Sequence, residues 1–153
     1  MAAVSPLPSP SPGVRSRRLR FMTRFVRLAG IYNASAVVVL VTPGALGLVD
    51  VQEPYSDFWM WLPGLTGLFA GIVLLLSAMD LEKFGSFPCW NGIIRLAFVI
   101  AAVALGFGSS TGTFAWVLAA GDVPLALGCI FGLPRALGRT HWQLLTNQPW
   151  ARG

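Results

Sequence analysis

The chain has 153 residues, of which 55% are hydrophobic and 11% are charged, and its formal net charge is +5. Soluble domains carry about 25% charged residues, so this composition argues against an ordinary water-soluble enzyme or binding domain. The excess of positive charge does not indicate nucleic-acid binding, because the basic residues lie at the ends of long apolar segments, where they orient membrane helices.

Residues 1–23 are predicted to form a disordered, Ser/Pro-rich and basic cytoplasmic arm. The alternating Ser and Pro residues at its start cannot sustain a helix and would bury almost no surface. Six arginines follow: Arg15, Arg17, Arg18, Arg20, Arg24 and Arg27. The apolar segment after them is too long for the core of a cleaved signal peptide, so we interpret it as the first membrane span.

Four apolar segments are long enough to cross a bilayer as helices. The first covers about residues 25–41 and ends at Thr42-Pro43-Gly44, a sequence that breaks helices. The others cover about residues 58–78, 88–108 and 113–133. Residues 24–134 are therefore predicted to form one all-α domain, an integral membrane four-helix bundle with short loops.

Orientation follows from the distribution of charge. The connection after the first span has three acidic residues, Asp50, Glu53 and Asp57, and no Lys or Arg, whereas both ends of the chain are basic. The positive-inside rule then predicts that both termini are cytoplasmic, which requires an even number of spans in a multi-pass protein of the inner or plasma membrane. Residues 135–153 are predicted to be a basic and aromatic cytoplasmic tail in the inner headgroup layer.

Two charges lie deep in the spans, Arg95 in the third and Asp122 in the fourth. A charge at a helix centre raises the free energy of membrane insertion by roughly 2.5 to 3.5 kcal/mol, whereas the apolar residues of its span contribute roughly −3 to −5 kcal/mol. The insertion free energy of each charged span alone is therefore close to zero. At 1.5 Å per residue, Arg95 lies roughly 10 Å and Asp122 roughly 17 Å above the cytoplasmic helix ends. We therefore predict that the two ions pair and draw the third and fourth helices together.

Asn33 reaches a similar depth in the first span. Asn33, Arg95 and Asp122 each share a helix face with small residues, which favour close helix approach in lipid, so all three are predicted to point into the bundle. They form the candidate intramembrane polar cluster. The residues that would line a ligand site beside it are Tyr32, Trp90 and Asn91.

Two functional hypotheses follow, because intramembrane ionisable residues often mark a functional site. In the first, the chain is a non-catalytic membrane protein, structural or accessory to a membrane complex, whose partners are the bilayer and another membrane subunit. In the second, it is a membrane enzyme or redox-linked subunit that binds a lipid-soluble ligand, a quinone or an isoprenoid, near Arg95 and Asp122. A proton-handling role is a third hypothesis.

No catalytic residue, cofactor or metal site is predicted. The sequence has no phosphate-binding loop, nucleophile elbow, dinucleotide fingerprint or metal-spaced set of His and Cys. The two cysteines, Cys89 and Cys129, lie at or in spans, and we expect them to be buried thiols without a disulfide.

Three stretches resemble the small four-span bacterial membrane proteins grouped as DoxX-like, most of which are uncharacterised. RLAGIYN at residues 27–33 resembles the start of their first helix, and GLFAGIVLLLSAMD at residues 67–80 resembles their second helix with its terminal Asp. Gly121-Asp122 resembles an acid found in their last helix. The resemblance covers about residues 24–135 and implies the four-helix fold. It implies no particular chemistry, because members of this shape share no established activity.

Overall fold

The computed structural model describes residues 12–49, 56–105 and 113–148 of the chain. Within these ranges the chain is helical, with connecting turns and no β-strand. The α-helices are α1 Pro12–Val41, α2 Phe58–Ser77, α3 Leu81–Phe84, α4 Ser86–Ala104, α5 Thr113–Leu127, α6 Leu133–Leu137 and α7 His141–Leu145. A 3-10 turn at Gly47–Val49 follows α1, and a π-helical turn at Gly128–Gly132 joins α5 to α6.

Four helical segments in the described residues are long and apolar enough to cross a membrane. They are Ser16–Val41, Met60–Ser77, Ser86–Ala104 and Ala119–Leu137. Large apolar side chains point outward along them, including Phe69 on α2 and Ile94 and Val103 on α4, each more than 60% exposed. Extended apolar surface of this kind is typical of membrane contact. The predicted all-α fold with four membrane-length helices is confirmed.

The first helix begins earlier than the sequence analysis predicts. Because α1 starts at Pro12, residues 12–23 belong to a continuous helix, and their assignment to a disordered arm was wrong. Proline suits the first helical position because its missing N–H would have no partner there, and the arginines that follow are good helix formers. Residues 1–11 lie outside the described residues. The helix ends where predicted, with Thr42 Oγ1 donating to the Val38 carbonyl at 2.5 Å.

The fourth membrane helix extends past its predicted end at Leu133. The backbone passes through the π turn, and α6 continues as far as Leu137 with Pro134 in its first turn. Proline is tolerated in a first turn, where its nitrogen needs no hydrogen-bond acceptor. Gly138, with a left-handed φ of 65°, then ends the helix.

Helices α1 and α2 pack in antiparallel fashion through glycines. A Cβ atom on Gly71 would lie 2.7 Å from the Gly30 carbonyl oxygen and 2.7 Å from the Ala34 nitrogen, so the two backbones leave no room for a side chain. About two turns away along α2, Gly64 lies against Val37 of α1. The glycines of α2 therefore pack within the chain, against α1.

Helix α1 also packs in antiparallel fashion against the fourth membrane helix. Phe25 lies against Gly128, and further toward the N-terminus of α1 Met22 lies against Gly132. Helix α4 also approaches α5 closely at a glycine, because Gly92 lies beside the Ala126 carbonyl. The apolar core lies between these helices, where Val26, Ala29, Leu74, Leu133 and the free thiols Cys89 and Cys129 are buried.

Replacing Gly71 with Ala should destabilise the protein, because the added methyl group meets two backbone atoms that cannot rotate away. We expect a loss of about 1–3 kcal/mol, measured by thermal or denaturant unfolding of the purified protein in mild detergent. Gly47→Ala is the matched control, since a Cβ atom there meets nothing within 4 Å. Equal melting temperatures for the two variants would contradict the close α1–α2 contact.

Candidate functional site

Arg95 lies at the middle of α4 and is only 6% exposed. Its guanidinium donates hydrogen bonds to side chains from three helices. Nη1 donates to Asp122 Oδ1 on α5, Nη2 donates to Asn33 Oδ1 on α1, and Nε donates to Asn91 Oδ1 on α4 at 2.9 Å. The ion pair predicted from the sequence is therefore present, and Asn33 joins it.

Each partner is positioned by its helix. Asn91 lies one helical turn before Arg95, and side chains at i and i+4 are neighbours on a helix surface, so Asn91 fixes the direction of the arginine stem. Asp122 faces α4 because Gly92 allows α4 to approach the fourth membrane helix closely at Ala126. Asn33 lies on the α1 segment that contacts α2, and its carbonyl oxygen lies beside Gly67.

Tyr32 completes the surroundings of the guanidinium. The Arg95 Cζ atom lies 5.3 Å from the centroid of the Tyr32 ring, within range of a cation–π contact. The Tyr32 hydroxyl lies beside Gly121, where a Cβ atom would be only 2.7 Å from its oxygen. Gly121 therefore leaves room for Tyr32, and the Gly121-Asp122 pair contacts α1 and α4 at once.

The charge of Arg95 is compensated within the chain. A guanidinium has five N–H donors on three nitrogens, and each nitrogen of Arg95 donates to a side-chain oxygen of this chain. Asp122 supplies the matching negative charge and is itself buried, at 8% exposure. The group is thus a neutral, hydrogen-bonded cluster that joins α1, α4 and α5. We call these five residues, Tyr32, Asn33, Asn91, Arg95 and Asp122, the arginine cluster.

The structure separates Trp90 from the arginine cluster. Its indole N–H donates to the Leu145 carbonyl oxygen at 3.0 Å, and its ring is 45% exposed. Five of the six residues named from the sequence are therefore in contact, whereas Trp90 connects α4 to the C-terminal segment.

That C-terminal contact is a feature the sequence analysis missed. The described part of the tail includes α7, whose Leu144 is fully buried, and its location in the headgroup layer stays a prediction. Thr140 and Gln143 form a reciprocal capping box at the start of α7. The spacing Thr-x-x-Gln is a sequence signal for a helix start, and it would have identified this short helix. Residues 149–153 lie outside the described residues.

The described residues include no group of three His, Cys, Asp or Glu side chains that could hold a metal ion. His141 is exposed, and its ring lies edge-on to Phe131 at 6.1 Å between centroids, far along the chain from the arginine cluster. Asp122 is engaged by Arg95 in an ion pair.

No protein-family model, curated protein or solved structure matches this chain. The resemblance to DoxX-like proteins therefore stays a prediction based on three short stretches of sequence. Function must be inferred from the arginine cluster, the surface of the helices and their charge.

Replacing Asp122 with Asn should strongly destabilise the protein, because Arg95 would keep its charge in the bundle without a counter-ion. We expect a loss of about 3–5 kcal/mol in the free energy of unfolding in detergent. Asp80→Asn is the control with the same chemical change: Asp80 is exposed and caps α3 through the Lys83 N–H, a role that Asn also fills. If both variants unfold like the parent, the ion pair does not support the fold.

Proposed function

We propose that this chain is a non-catalytic, multi-pass membrane protein that acts as a structural or accessory component of a membrane complex. One observation carries the proposal: every nitrogen of the Arg95 guanidinium donates to a side chain of the same chain. An arginine that binds a substrate or cofactor needs donors directed at that ligand. In Arg95 the donors hold helices together.

The energetics support the same conclusion. A ligand that recruited Arg95 would first have to break its bond to Asp122 or Asn33 in a medium of low dielectric constant. Separating one partner from a buried ion pair costs about 3–5 kcal/mol, which the new contacts would have to exceed. The cluster is therefore better suited to fixing the relative positions of α1, α4 and α5 than to exchanging ligands.

The orientation that we propose has both chain ends in the cytoplasm, with the helices in the inner or plasma membrane. Arg17 and Arg18 at the start of the first span lie beside Arg135 near the end of the last span, so one end of the bundle is strongly basic. The first span ends at Val41 on the opposite side, followed by a connection that is acidic in sequence. The positive-inside rule places the basic end in the cytoplasm.

The second hypothesis, a lipid-soluble ligand near the cluster, has one specific observation in its favour. Tyr32 is 36% exposed on the outer surface, while its ring contacts the buried guanidinium. A quinone or isoprenoid in the bilayer would meet this ring first. In the first hypothesis Arg95 and Asp122 are needed only for the stability of the fold, whereas in the second they are also needed to bind the ligand.

A pair of variants distinguishes the hypotheses. Arg95→Leu alone should destabilise the protein because it leaves Asp122 unpaired, whereas Arg95→Leu combined with Asp122→Leu should recover to within about 1 kcal/mol of the parent. Unfolding in detergent is then repeated with an added quinone or polyisoprenoid alcohol. A saturated hydrocarbon of similar size, which lacks a polar head group, serves as the control compound. We expect the quinone or polyisoprenoid to change the melting temperature of the parent no more than this hydrocarbon does.

A quinone or isoprenoid shift that is present in the parent and absent from the folded double variant would instead support the ligand hypothesis. A double variant that is as unstable as the single variant would show that two leucines cannot replace the ion pair in stabilising the fold.

The accessory role predicts a protein neighbour on an outward face. Photoreactive p-benzoylphenylalanine is placed at Phe69 on α2 or at Phe98 on α4, both of which are exposed. After irradiation of native membranes, we expect a crosslinked product of discrete mass from one of these two positions. Phe25 is the control, because its ring contacts Gly128 within the chain and should crosslink internally. Adducts with lipid alone at both exposed positions would overturn the accessory role.

A further inference from the structure

A groove of about 440 Å³ opens between the first turns of α1 and the short helix α6. Arg17, Arg18 and Arg135 lie along it, and its remaining walls are apolar, with Phe21 and Met22 from α1 and Ala136 from α6. Three arginine side chains therefore lie along a mainly apolar surface, and no acidic residue among those that the structure describes lines the groove.

The groove lies at one edge of the membrane-spanning segments. Arg17 and Arg18 directly follow Ser16, the first residue of the first span, and Arg135 lies two residues before Leu137, the last residue of the fourth span. Phe21 and Met22 lie one helical turn deeper. A molecule in this groove would have its polar part at headgroup depth and its apolar part beside the helices, on the lipid side.

The arginines of the groove differ from Arg95 in that their charge is not compensated nearby. Among the described residues, neither Arg17 nor Arg18 forms a salt bridge or a side-chain hydrogen bond, and both are exposed. Arg135 donates one hydrogen bond, from Nη1 to the Phe131 carbonyl at 3.0 Å, which leaves most of its five N–H donors for another partner. Three like charges around one groove attract an anion.

We propose that this groove binds an anionic phospholipid, with the phosphodiester held by Arg17, Arg18 and Arg135 and an acyl chain along Phe21 and Met22. Basic pockets between membrane helices hold lipid phosphates, and guanidinium groups match phosphate oxygens in paired hydrogen bonds. The apolar wall favours a lipid over a free phosphate, because Phe21 is 65% exposed and would gain cover only from an apolar chain.

The test uses the purified full chain in neutral detergent at fixed ionic strength. Phosphatidylglycerol is titrated while the melting temperature is measured, and native mass spectrometry counts retained lipids. We expect phosphatidylglycerol to raise the melting temperature and to remain bound, whereas phosphatidylcholine and soluble glycerol phosphate do neither. Replacing Arg17, Arg18 and Arg135 with Gln should weaken phosphatidylglycerol binding by about tenfold or more.

The control variant replaces Arg20, Arg24 and Arg27 with Gln, which lowers the net charge equally but changes exposed arginines that do not line the groove. It should bind phosphatidylglycerol as the parent does. Phe21→Ala should weaken lipid binding without altering the fold, because the Phe21 ring is exposed. Equal losses in the two triple variants, an equal effect of glycerol phosphate, or no effect of phosphatidylglycerol on the parent would overturn the proposal.

Discussion

The fold depends on compensating one positive charge inside an apolar helix bundle. A lone arginine at the centre of a membrane helix costs roughly 2.5 to 3.5 kcal/mol, and a bundle of four short spans has little stability to spare. Arg95 avoids this cost because its guanidinium meets a carboxylate from α5 and amide oxygens from α1 and α4. Since Asp122 and Asn33 come from parts of the chain distant from Arg95, satisfying the charge requires three helices, α1, α4 and α5, to be correctly placed at once.

The arginine stem has a fixed length, so the helices around it must approach closely. Near the arginine cluster, glycines allow the helices to approach this closely. Gly121 leaves room for the Tyr32 hydroxyl, and Gly92 lets α4 lie against the Ala126 carbonyl. On the other side of α1, Gly71 allows contact with α2. Lipid tails provide no hydrophobic drive between helices, so this close backbone packing and the polar contacts together hold the bundle.

The ion pair between Arg95 and Asp122 could be predicted from the sequence, because two opposite charges inside an apolar bundle are each too costly to leave unpaired. Asn33 could be added because it lies at a similar depth in the first span.

The ends of the helices were less predictable. The start at Pro12 was missed because hydropathy does not detect a basic helix segment, and the continuation past Pro134 depends on a π turn that leaves no pattern in the sequence. Trp90 was predicted to lie beside the cluster, but it lies five residues from Arg95 in the sequence and thus about 140° around the helix, and its indole contacts Leu145 instead.

The same side chain has opposite roles at two depths. Arg95 lies where the dielectric constant is low, so a nitrogen without an acceptor would be costly, and the chain itself supplies an acceptor for each of the three guanidinium nitrogens. Arg17, Arg18 and Arg135 are exposed near the ends of membrane-length helices, where water can screen their charge and an unpaired guanidinium is tolerable. Only the second group can therefore exchange partners without disturbing the helix packing. Interactions of this protein with other molecules are accordingly better sought at the basic edge and on the outward apolar faces than at the buried ion pair.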